Sequence, residues 1–80
     1  MKYVLLLRGI NVGGKNKVSM ADLKNMILSL GYENVITYIN SGNILFDSTD
    51  NIDTVNVKIS QILNSYPFKI NKVILTKQEY

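Results

Sequence analysis

The seven residues Lys2-Tyr3-Val4-Leu5-Leu6-Leu7-Arg8 place the tightest limit on how this chain can fold. A short apolar run bounded by charges and followed by Gly9 reads as a β-strand, with alternate side chains pointing to opposite faces. Tyr3, Leu5 and Leu7 would line one face, and Val4 and Leu6 the other. A central strand with one solvated face alternates apolar and polar residues. This one is apolar on both sides, so its second face also calls for cover.

The segment that follows carries a well-marked helix. Ser19 is placed as an N-cap with Asp22 three residues on, an acid standing where a capping box usually has Glu. Met20, Leu23, Ile27 and Leu30 recur at helical spacing, with Met26 beside them, and Gly31 stands where a left-handed C-cap is expected. Val35–Ile39 and Asn43–Phe46 are β-branched and aromatic runs joined by Asn40-Ser41-Gly42, which predicts a hairpin. From Ile52 the residues Val55, Ile59, Ile62, Leu63 and Tyr66 follow helical spacing again, with Asp50 as the expected cap and Pro67 closing the segment. Lys72–Leu75 is a fourth strand.

The order is therefore βαββαβ, an α+β chain that fits a ferredoxin-like sandwich: a four-stranded antiparallel sheet with two helices on one face. Right-handed crossovers put the first and third strands in the middle. Residues 1–75 make one domain. Thr76-Lys77-Gln78-Glu79 repeats the capping-box pattern, so residues 76–80 are expected to open a helix leading into a further C-terminal region.

Composition removes whole classes of chemistry. The 80 residues contain no cysteine and no histidine, which excludes disulfides, thiol nucleophiles, histidine triads and zinc sites built from those ligands. Six acidic residues without a tight cluster give no expectation of a metal, and no motif calls for a cofactor. The apolar stretch Val4–Leu7 is far shorter than the roughly 7–15 residues of a signal peptide core or the roughly 20 of a membrane span. The expectation is a cytoplasmic protein without a membrane partner.

Charge is unevenly distributed. Lys2, Arg8, Lys15 and Lys17 all precede the first acid, Asp22, so positive potential gathers between Arg8 and Lys17. Strand directions in the expected fold bring this segment, the Asn40–Gly42 turn and the Pro67–Asn71 connection to one end. Arg8, Asn11, Lys15, Asn16 and Lys17 would then face Tyr38, Asn40, Ser41 and Asn43. Gly13 and Gly14 can take positive φ and expose backbone N–H groups, the makings of an anion-binding nest. The same residue types also suit a plain solvated turn in which the asparagines bond the loop to itself.

Two sharper readings fail. Gly9-Ile10-Asn11-Val12-Gly13-Gly14-Lys15 has P-loop spacing, but Asn16 stands where a Mg²⁺-binding Ser or Thr is needed and the helix starts several residues too late. The strand order is also that of RNA-recognition modules, yet Asn43-Ile44-Leu45-Phe46 offers a single aromatic and no basic-aromatic run. Contact with a nucleic-acid backbone through Arg8, Lys15 and Lys17 stays open.

Leu6–Val18, with its Arg8-Gly9-Ile10-Asn11-Val12-Gly13-Gly14-Lys15-Asn16-Lys17 core, and Thr37-Tyr38-Ile39-Asn40-Ser41-Gly42-Asn43 resemble the hallmark stretches of an uncharacterised bacterial family, domain of unknown function 1697. The resemblance runs through nearly the whole chain. It implies longer relatives with a further C-terminal α/β region and assigns no activity. It also suggests cover for Val4 and Leu6: that further region, or a second copy of the chain. Three roles follow as expectations. The first is a module that binds an anionic, phosphate-bearing small molecule. The second is an enzyme completed by the C-terminal region, and the third a dimerisation domain.

Overall fold

The computed structural model describes residues 1–10, 14, 16–38 and 42–77. Its elements run β1 (Lys2–Arg8), α1 (Met20–Ser29), β2 (Glu33–Tyr38), β3 (Asn43–Asp47), α2 (Ile52–Leu63) and β4 (Asn71–Thr76). They form one sheet in the order β2-β3-β1-β4, with every neighbouring pair antiparallel. This is the expected ferredoxin-like arrangement. β1 lies inside the sheet because an apolar run on both faces is tolerated only where neighbours flank it.

The register sorts the side chains, since directly opposed residues share a face. Tyr3↔Phe46, Leu5↔Ile44 and Leu5↔Ile74 turn towards the helices. There they meet Leu23 and Ile27 of α1 and Val55, Ile59 and Leu63 of α2 in one buried core. The Phe46 ring stacks between Tyr3 and Tyr32, at centroid distances of 5.7 and 5.2 Å. Val4↔Leu45, Val4↔Leu75 and Leu6↔Val73 occupy the opposite face.

The first helix begins and ends where its residues dictate. Ser19 Oγ accepts from Asp22 N–H at 3.3 Å, and Gly31 follows the Leu30 cap with φ +87°. The second helix departs from expectation at both ends. Its N-cap is Asn51, whose side chain accepts from Thr54 N–H at 2.9 Å, and not Asp50. The Asp50 carboxylate is already engaged by the Tyr32 hydroxyl at 2.9 Å and Lys58 Nζ at 2.8 Å. Leu63 ends the helix, so Tyr66 reaches the core from the following turn.

β2 starts two residues earlier than its apolar pattern suggests. A register shift between Glu33 and Ile36 accommodates Asn34 at φ +52°, and Asn34 Nδ2 donates to Asp47 Oδ2 at 2.6 Å. β4 extends through Thr76, with Lys77 N–H donating to Lys2 O at 2.9 Å. The helix expected from Thr76 onward falls on Gln78, Glu79 and Tyr80, outside the described residues. No helix among the described residues is long and apolar enough to cross a membrane.

Candidate functional site

Antiparallel pairing fixes which segments share an end. β1 reaches Arg8 where β2 finishes at Tyr38, β3 begins at Asn43 and β4 begins at Asn71. α1 also starts at this end and α2 finishes there, because each helix returns the chain between parallel strands. The turn before β3 is hydrogen-bonded to the end of β1: Leu7 N–H donates to Gly42 O at 3.2 Å.

Gly42 makes this approach possible. Its φ is +67°, and a Cβ there would lie 3.2 Å from Leu7 O and 3.8 Å from Ile10 Cδ1. Any other residue would meet both left-handed strain and a backbone oxygen. Gly42 N–H in turn donates to Tyr38 O at 3.0 Å, closing the hairpin.

In the segment after β1 the backbone turns left-handed at Gly9 (φ +76°), Gly14 (φ +77°) and Asn16 (φ +54°). Asn16 Nδ2 donates to Gly9 O at 3.0 Å, spanning seven residues. This carboxamide therefore holds the loop to itself, the role a plain turn would give it. Arg8, Gly14 and Lys17 are exposed, Tyr38 is half exposed and Asn43 is partly buried. Arg8, Tyr38 and Asn43 lie on the helix-free face, as the pairs Leu6↔Asn43, Tyr38↔Asn43 and Arg8↔Asn71 require. Asn11, Gly13, Lys15, Asn40 and Ser41 lie outside the described residues.

Electrostatics favour an anion here. The ion pairs among the described residues are Lys2–Asp47 at 3.1 Å and Lys58–Asp50 at 2.8 Å, and neither involves Arg8 or Lys17. Both cations stand in water, where they attract anions over about one Debye length. No group of three acids placed to hold a metal occurs among the described residues.

The connection that ends at Asn71 reaches this end too, as the strand directions predict. Asn71 faces Arg8 across β1 and β4 and also lines a cleft of about 260 Å³, with Tyr66, Phe68, Lys69 and Lys72. The cleft lining holds no acid. Strand directions already put the Pro67–Asn71 connection at this end, and the β1–β4 register adds the pairing of Asn71 with Arg8. The Tyr66 hydroxyl is buried without a hydrogen-bond partner among the described residues, and burial, followed by the charge of Asp22, raises its pKa.

A second cleft, of about 320 Å³, lies at the opposite end between Tyr32, Asp47, Asp50 and Lys58. Its polar groups serve one another. Asp50 accepts from Lys58 and Tyr32, which hold its carboxyl below the usual range, and its backbone oxygen accepts from Tyr3 Oη at 2.7 Å. Burial, then the bond to Asp50, pushes Tyr32 up to about 12. The Met1 ammonium donates to Ser48 O at 2.9 Å. This network ties the N-terminus and the β3–α2 connection to the core.

The comparisons with known proteins agree with this fold. None of the curated proteins is a significant match. The conserved bacterial protein SP0830 from Streptococcus pneumoniae has a solved structure that superposes with a TM-score of 0.83 at 47% sequence identity, over 92% of this chain. The match spans 41% of the pneumococcal chain, so this chain corresponds to less than half of that relative. The model of the proteins of unknown function DUF1697 matches residues 1–80. The chain belongs to the DUF1697 family.

Proposed function

We propose that the end of the domain bearing Arg8 and Lys17 binds a phosphate-bearing small molecule. The observation that carries this reading is the pair of exposed cations without acidic partners among the described residues, on a segment whose backbone turns left-handed at Gly9, Gly14 and Asn16. Left-handed turns direct successive N–H groups to one side, and an anion is held best where such groups and cations converge. Tyr38 and Asn43 pair with each other at the end of the sheet where β1 reaches Arg8, and would contact the rest of the ligand. Asn16 supports the loop, and its side chain is already engaged. A cytoplasmic setting is part of the proposal.

Calorimetric titration with inorganic phosphate, pyrophosphate, nucleotides and an RNA oligomer tests the reading. Lys15→Ala/Lys17→Ala should weaken binding of the small phosphates by about tenfold or more, as expected from losing one or two charge-assisted contacts. Added salt should weaken the wild-type interaction too. Equal binding by wild type and variant, or none by either, would refute it. Binding of RNA alone would move the ligand from a small molecule to a nucleic-acid backbone.

A second reading, that the domain serves association through its helix-free sheet face, is favoured by Ile36, Tyr38 and Val73, each about half exposed there.

A further inference from the structure

Among the described residues, the sheet face away from the helices presents an apolar surface that no element covers. Cross-strand pairing sets Leu6, Ile36, Tyr38, Leu45, Val73 and Leu75 around Val4 on this face. Val4 is fully buried yet stands apart from the core beneath the helices, shielded by its neighbours on the same side. Ile36, Tyr38 and Val73 are 47%, 48% and 49% exposed. Single exposed apolar residues are ordinary, but a contiguous group spanning four strands marks an interaction surface. Charges are confined to the margins. Lys2 and Asp47 pair with each other at one end, and Arg8 stands at the other.

The size of the face identifies its occupant. Four strands about 4.8 Å apart, each about six residues long at about 3.3 Å per residue, give a footprint on the order of 400 Å². Two such faces would bury on the order of 800 Å² together, short of the roughly 1,200–2,000 Å² of stable associations between separate chains. That area falls within the roughly 600–1,500 Å² typical of packing between domains of one chain. A covalent link lets a small interface suffice, because the partner is held at an effective concentration of about millimolar. More than half of the pneumococcal relative lies outside its match to this chain.

We propose that this face, centred on Val4 and Leu45, seats a second domain carried on the same polypeptide in the longer members of the family. The seat borders the proposed phosphate site and shares Tyr38 with it, but its test reads Ile36 and Val73, which that site does not use. Ile36 and Val73 lie towards its two sides, on the edge strands β2 and β4.

The test uses two existing proteins, the 80-residue chain and the pneumococcal protein. Ile36→Lys/Val73→Lys is made in the first, and lysine replaces the aligned residues in the second. The 80-residue chain should sediment as a monomer at two concentrations, and its melting temperature should not change with the lysines. The pneumococcal protein should melt at a lower temperature with them, or its single transition should split in two. A dimer of the 80-residue chain that the lysines dissociate would overturn the proposal in favour of a second copy. An unchanged pneumococcal protein would show the seat to be empty. Equal drops in both proteins would place the effect within the sheet itself and also overturn it.

Discussion

Tyr3, Tyr32 and Tyr66 carry the same hydroxyl into two different situations. Tyr3 and Tyr32 bury their rings beside Phe46 and donate to the backbone and the carboxylate of Asp50. Tyr66 buries its hydroxyl with no partner among the described residues. A buried donor left unpaired costs about 1–3 kcal/mol, whereas a bond to a charged acceptor contributes about 1.5–3 kcal/mol. Tyr66→Phe should therefore leave stability unchanged or raise it by about 1 kcal/mol, while Tyr32→Phe lowers it by about 1–2 kcal/mol. Urea denaturation of the two variants checks the contrast. Asp50 shows the limit of reading residues one at a time. As an acid just before a helical pattern it is a natural cap, but Tyr32 and Lys58 claim its carboxylate, and both are remote in sequence. Asn51 caps the helix instead.

At the scale of elements, what was legible followed from local rules. α1 announced both its ends through Ser19 and Gly31, and β1 announced its central position through two apolar faces. What was not legible depended on tertiary contacts. The early start of β2 rests on a register shift and a left-handed Asn34 bonded to Asp47, a residue on another strand. Tyr66 kept the helical spacing while leaving the helix, because packing against the core is open to a residue in the following turn. The hairpin turn is legible as a turn but not as a joint with β1, since nothing local reveals that Gly42 meets Leu7. That joint makes a prediction. Gly42→Ala should cost about 1–3 kcal/mol from left-handed strain. The loss should exceed that of Gly31→Ala, which shares the strain but has open space where a Cβ would stand. Denaturant midpoints of the two variants decide it.

For the whole molecule, chain direction does most of the work. Right-handed crossovers and antiparallel pairing bring the segment after β1, the β2–β3 turn and the start of β4 to one end. That the end of β1, the end of β2 and the start of β3 lie together was thus readable from element order, before any side chain was placed. The same element order brought the Pro67–Asn71 connection there, and only the pairing of Asn71 with Arg8 needed the actual register. The two ends of the domain are then unlike. One gathers Tyr3, Tyr32 and Lys58 around Asp50, and the other presents Arg8 and Lys17, which form no ion pair among the described residues. The central claim is that ligand binding belongs to the second end. Backbone amide NMR during a pyrophosphate titration tests it most directly. The account predicts salt-sensitive shifts confined to Arg8–Val18, Tyr38–Asn43 and the neighbourhood of Asn71. Shifts centred on Tyr32, Asp50 and Lys58, or none at any residue, would contradict it.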